Sequence, residues 1–209
     1  MSIGEFYRIK KANLRFQWET IRRYYPLSSR FAFMDLALGF VGLFFNPYRI
    51  CRKSGSIYGE TPPSSLHRIA TFCRLTSKDT WLELGSGRGK GCFWIAQFFG
   101  CHTVGIEKIS FFYYLSRAIS FFGRKRISFI QADLSEADFS AASCVYLYST
   151  CMNEEELAIL SDKMKALPQG AKVVTVSASL PETPHLALAG SFPLSFPWGD
   201  TDGYLHVRK

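Results

Sequence analysis

A strand that runs directly into a cluster of glycines leaves a chain few folds to choose from. Residues Trp81-Leu-Glu-Leu-Gly-Ser-Gly-Arg-Gly-Lys-Gly91 put glycines at 85, 87, 89 and 91 behind a short apolar run. Such a turn carries the backbone from a strand end into a helix and aims N–H groups at a ligand. The flanks agree with it. Apolar and β-branched runs predict strands at 80–84, 103–106, 127–131, 144–148 and 171–178. Helical spacing between them predicts helices at 90–99, 110–122 and 153–166, the last with Glu154, Glu155 and Glu156 in its first turn. Two more strands, 192–196 and 204–208, are expected around a turn region at 198–203. Alternation of this kind implies an α/β fold with a parallel sheet covered on both faces.

Three acids sharpen the reading. Glu83 stands two residues before Gly85 at the end of its strand. A carboxylate there would repel a pyrophosphate but would hold a ligand bearing a cationic amino group. S-adenosylmethionine (SAM) carries that group on its methionine moiety. The dinucleotide fingerprint Gly-x-Gly-x-x-Gly also fails, because Lys90 occupies its third glycine position. Glu107 closes the next strand, 22 residues after Gly85, where an acid can bond ribose hydroxyls. Asp133 closes the third and can accept from an adenine amino group. Open α/β sheets bind ligands along this edge. The expected cofactor is therefore SAM, with S-adenosylhomocysteine (SAH) as product. Gly85, Ser86, Gly87, Gly89 and Lys90 form its cradle, and Lys108 and Leu134 stand beside the acids. No metal-ligand spacing appears, and no metal site is expected.

The first part of the chain has a different character. Residues 1–60 hold ten Lys/Arg against four Asp/Glu, whereas residues 61–209 hold 15 against 13. A basic balance confined to one end argues against a nucleic-acid groove across the domain. Residues 5–25 predict a basic amphipathic helix with Tyr7, Leu14, Trp18, Ile21 and Tyr25 at helical spacing. Pro26, Ser28 and Ser29 break it. The run 31–45 is apolar except for Asp35, shorter than the ~17–25 residues of a spanning helix. It is expected to dock on the domain or to lie in a membrane interface. A loop is expected over 52–63, and then a helix capped by Ser64 or Ser65 and running to about residue 74. No secretory signal is visible. The six cysteines form no Cys-x-x-Cys pair and read as reduced thiols of a cytoplasmic protein, peripheral contact with a membrane remaining open.

With Tyr58-Gly-Glu-Thr61, Leu82-Glu-Leu-Gly-Ser-Gly87 and Val104-Gly-Ile-Glu-Lys108 in that order, the chain resembles the class I SAM-dependent methyltransferases. Within them it is similar to the disruptor-of-telomeric-silencing histone-lysine methyltransferases. It is also similar to the small mitochondrial lysine methyltransferases of the ATP-synthase c-subunit. The resemblance covers about residues 57–180 and divides the chain into an N-terminal helical extension, 1–56, and a methyltransferase domain, 57–209. It implies a Rossmann-like seven-stranded sandwich with a reversed final hairpin. It implies that the loop of Tyr58, Glu60 and Thr61 closes over SAM. By the same resemblance Glu83 holds the methionine end, Glu107 the ribose and Asp133 the adenine. Two positions depart from the histone-modifying enzymes: Lys90 stands where they carry Gln, and Tyr148-Ser149-Thr150 stands where they carry Asn-Asn-Phe.

The expected activity is N-methylation of a lysine in a protein substrate. A lysine must lose its proton before it can attack, and a dry aromatic channel favours that loss. Tyr58, Tyr148 and Ser149 are candidates for the acceptor pocket, with Trp198 as further lining. His67 reads as a packed histidine rather than a base. The competing readings are an RNA or small-molecule methyltransferase, a membrane-associated binding protein with a relict SAM site, and a nucleic-acid binder using residues 1–30.

Overall fold

The computed structural model describes residues 3–53, 58–121, 126–150 and 152–209. The expected domain boundary at 56/57 and the expected helix end at Phe122 lie outside the described residues. Among the described residues, seven strands form one sheet: β1 (Thr80–Leu84), β2 (His102–Glu107), β3 (Ile127–Gln131), β4 (Cys144–Leu147), β5 (Lys172–Val176), β6 (Leu186–Phe196) and β7 (Gly199–Arg208). Their order is β3-β2-β1-β4-β5-β7-β6. The first five run parallel, and β7 is antiparallel to both β5 and β6. The strand order reverses between β1 and β4, and ligands bind at such a point, beyond the strands' carboxyl ends.

The helices follow from apolar spacing and from caps. After the glycine turn comes α5 (Lys90–Phe98), and its Cys92, Phe93, Trp94, Ile95 and Ala96 are all buried. A helix apolar all round needs cover on its far side as well as the sheet. The N-terminal helices supply it. Of these, α1 (Ile3–Arg23) leads through a 3-10 turn into α2 (Ser29–Phe44), and α3 (Pro47–Lys53) follows. Ser28 caps α2 by accepting from Phe31 N at 3.1 Å. Phe31, Met34 and Leu38 of α2 are buried, Met34 and Leu38 in one cluster with Phe93. Tyr24 meets Trp94 edge-on at 5.6 Å. The apolar run 31–45 thus docks on the domain through one face. No helix among the described residues is long and apolar enough to cross a membrane.

Three local expectations need correction. The polar stretch from Arg52 does not begin as a loop, because α3 runs through Lys53, with Asn46 accepting from Tyr48 N. The helix α4 (Pro63–Phe72) is not capped by Ser64 or Ser65. Pro62 is its N-cap and Pro63 its first residue, which needs no N–H partner. Ser65 instead donates to Ser195 O at 2.6 Å. At the end of the chain, 198–203 is no broad turn. Gly199 pairs with Phe196, so only Pro197 and Trp198 make the bend, and Gly203 lies inside β7. A Cβ at Gly203 would meet Phe192 and Leu194 within about 3 Å, so the glycine there serves packing and not a turn. The remaining helices are α6 (Ser110–Ser120) and α7 (Glu154–Lys163). Asn153 and Glu156 close a capping box at the start of α7.

Candidate functional site

The carboxyl ends of β1, β2 and β4 open into a cleft of about 480 Å³. The glycine turn is its floor. Gly85, Gly87 and Gly89 all have positive φ, a conformation that Cβ-bearing residues rarely adopt. Gly89 faces a second constraint, because a Cβ there would collide with the Phe129 ring of β3. Gly85 and Ser86 both donate to Ile106 O at 2.9 Å, pinning the turn to β2.

Each acid of the expected row takes a distinct position. Glu83 is buried under the start of α5, where a Cβ at Gly91 would fall on its carboxyl. The Cys92 thiol donates to Glu83 Oε2 at 3.2 Å. No cation pairs with Glu83 among the described residues, and burial pushes its carboxyl up to about 7. Glu107 accepts from Gly87 N at 2.8 Å with one oxygen and from Ile109 N at 2.7 Å with the other. Burial raises the Glu107 carboxyl and these two donors partly restore it. Asp133 lies at the rim. Its carboxylate accepts from Lys108 Nζ at 2.7 Å and from Ser135 N and Oγ. The Lys108 ammonium holds the Asp133 carboxyl well below the usual range. Leu134 lines the cleft beside it.

The 58–61 loop forms the opposite wall. Thr61 shares a 2.5 Å hydrogen bond with the Tyr146 hydroxyl, which joins the loop to β4. Tyr58 packs on Phe112 at 5.4 Å and donates to Glu60. Tyr148 sits beyond β4, where its hydroxyl accepts from Trp198 Nε1 at 2.8 Å. Phe196 stacks on Trp198 at 5.2 Å and meets Tyr148 at 5.5 Å. An aromatic wall therefore stands beside Gly59. The structure does not bring Ser149 to this wall. Ser149 is buried, donating to Val176 O at 2.7 Å. Lys90 lines the cleft, yet its ammonium turns to Asp35 of α2 at 2.8 Å. His67 lies elsewhere, against Trp94 and Phe99, where burial lowers its pKa.

Two residues escaped the sequence reading. Arg88 joins the glycine turn to Glu60, with Nη2–Oε1 at 2.6 Å. Burial alone would push the Glu60 carboxyl up, but the Arg88 and Lys90 charges hold it below the usual range. Its signal was a basic residue inside a glycine turn, facing the one acid of the 58–61 motif. Tyr146 lies two residues before Tyr148, so strand alternation puts both on one face.

The residues fit SAM on features of the fold itself. Among the described residues, a buried carboxylate lacks a cation at the deep end, and the buried Ser86 Oγ has no hydrogen-bond partner. Glycines keep the floor free of side chains. Groups of His, Cys, Asp and Glu able to hold a metal are absent among the described residues.

Comparison with known proteins follows the same line. The profile of the family described as Histone methylation protein DOT1 matches residues 46–182. The histone-lysine N-methyltransferase, H3 lysine-79 specific, of Dictyostelium discoideum is 25% identical over 162 residues. That match covers 70% of this chain but 8% of the relative's length. An RNA methyltransferase from Salinibacter ruber, solved with S-adenosyl-L-homocysteine, superposes with a TM-score of 0.62 at 25% identity. It covers 72% of this chain and 95% of that one. TrmN from Thermus thermophilus superposes with a TM-score of 0.63 at 15% identity, covering 72% of this chain and 50% of that one.

Proposed function

Because the chain belongs to the DOT1 histone-methylation family, we propose that it is a SAM-dependent N-methyltransferase acting on a lysine in a protein. The observation that carries this reading is the single cleft that gathers Glu83, Glu107, Asp133 and the glycine turn beneath the 58–61 loop. Bound SAM supplies a methyl group activated on a sulfonium, and the protein supplies position and exclusion of water. Glu83 receives the ammonium of the methionine moiety. Glu107, with both oxygens already oriented by backbone donors, presents its remaining lone pairs to the ribose. Asp133 and Leu134 frame the adenine. Tyr58 and Tyr148, the latter held by Trp198, form an aromatic approach that disfavours a charged lysine and so promotes its neutral, nucleophilic form.

The N-terminal helices suit a peripheral membrane contact through residues 5–50. Leu14, Trp18 and Ile21 line one side of α1, and Leu36, Phe40, Leu43 and Phe44 line the outer side of α2. Arg15, Arg22, Arg23, Arg30 and Arg49 are exposed around them. Apolar stripes bordered by cations suit an anionic lipid surface on the cytoplasmic side.

Incubation of the purified protein with tritiated SAM and lysate from a deletion strain tests the activity. Label is expected in protein lysine and to vanish with Glu83→Gln. Label confined to RNA or to small metabolites would overturn the substrate class. Co-sedimentation with phosphatidylglycerol vesicles tests the surface; equal binding to neutral vesicles, or none to either, counts against it.

A further inference from the structure

The two basic side chains set between the glycines of the turn, Arg88 and Lys90, both reach helix α2. Lys90 Nζ reaches Asp35 Oδ1 at 2.8 Å, and both side chains are largely buried. Tyr25 donates to the other oxygen, Asp35 Oδ2, at 3.0 Å. Arg88 uses its whole fork. Nε donates to the Tyr58 hydroxyl at 2.7 Å and to Glu60 Oε1 at 2.9 Å, and Nη1 donates to the main-chain carbonyl of Leu38 at 2.8 Å. That carbonyl lies inside α2, where a helical oxygen is normally shielded by side chains of the next turn. The next turn here holds Gly42, and a Cβ at Gly42 would come within 3.2 Å of Arg88 Nη1. The missing side chain leaves the notch through which the guanidinium reaches the backbone.

We propose that α2 is a brace behind the cofactor site, and that Asp35 and Arg88 are positioning residues which clamp the glycine turn and the 58–61 loop to it. The inference rests on reading the cleft as a SAM site. It accounts for features that otherwise have no reason. Asp35 is the lone acid of an apolar helix, and burying it is costly without a partner. Arg88 carries donors spread over a rigid plane, so one side chain can hold three elements in register, which a lysine at the same place could not do. The loop over the cleft and its floor are then fixed relative to each other before any ligand arrives, and preorganisation of that kind appears as affinity.

The test measures SAH affinity by calorimetry on the full chain, with melting temperature alongside. Asp35→Asn keeps the shape and the Tyr25 contact but removes the charge facing Lys90. It is expected to weaken SAH binding about tenfold. The exchange Asp35→Lys with Lys90→Asp is expected to recover most of that loss. Arg88→Lys is expected to cost as much and to raise KM for SAM more than it lowers kcat. Gly42→Ala gives a readout that a merely structural role would not produce. Alanine favours the helix, so melting temperature is expected to rise. Its methyl crowds Arg88, so affinity is expected to fall about threefold. Should Asp35→Asn fail to fold, Gly42→Ala still decides the matter. Unchanged SAH affinity in folded Asp35→Asn, Arg88→Lys and Gly42→Ala would sink the clamp while leaving the SAM site intact. Wild-type protein that binds no SAH would sink both.

Discussion

The two ends of the cleft treat their acids in opposite ways. At the deep end Glu83 is buried, touched by a thiol, and has no cation beside it among the described residues. At the rim Asp133 is partly exposed and already holds Lys108. The two stand at the ends of strands two places apart in one sheet, yet burial drives one carboxyl up and a partner draws the other down. The contrast separates a group kept waiting for a positive ligand from a group the protein has satisfied by itself. Most of the binding selectivity should therefore reside at the deep end, where desolvation makes a charge contact strong.

Mutation should reveal that gradient. Glu83→Ala is expected to weaken SAH by about a hundredfold, with Glu83→Gln close behind, since a lost charge-assisted bond in a buried site costs about 3 kcal/mol. A loss under tenfold in titration calorimetry would mean the deep carboxylate does not hold the ammonium. Acid gives the next largest effect. The ammonium needs the ionised carboxylate, so affinity should fall as pH drops through about 7, approaching tenfold per unit below it. The ligand-free protein should behave in the opposite sense. A carboxyl whose folded pKa is raised favours folding when protonated, and that contribution is lost as pH rises through about 7. Melting curves and binding isotherms from pH 6 to 8 should diverge in wild type and run flat in Glu83→Gln. Asp133→Asn should cost only about threefold in SAH affinity, because a solvated acceptor contributes little. Lys108→Ala should stay within about twofold, and a larger change would place the rim lysine in the cofactor contact.

The sheet was legible because its signals are local. Thr80–Leu84 and Ile127–Gln131 are short apolar or alternating runs bounded by polar residues, and the observed strands match the predicted ones. The final hairpin was less so. Gly199, Asp200, Asp202 and Gly203 carry turn chemistry, but tertiary packing outweighs it. Gly203 lies in the strand because Phe192 and Leu194 occupy the space where a side chain would stand. In the site, the acids could be read from their spacing to the glycines. Arg88 and Asp35 could not, because each acts on a residue far away in the chain and no periodicity ties them together. Ser149 misled in the other direction. Its place at a strand end suggested the acceptor pocket, whereas its hydroxyl is turned inward to Val176 and Ala178.

Helix α2 has an inner face that needs Phe93 and an outer face that is apolar in the finished molecule. Leu38 is polymerised 55 residues before Phe93. At ~5–20 residues per second that gap lasts roughly 3–11 s on the ribosome. Throughout it the inner apolar face of the helix has no sheet to cover it, and Asp35 has not yet met Lys90. Synthesis therefore hands the cell a greasy segment well before the sheet that shelters half of it exists. Whatever shields nascent hydrophobic helices meets α2 before its cover exists, with Asp35 resisting transfer into any apolar host until Lys90 emerges.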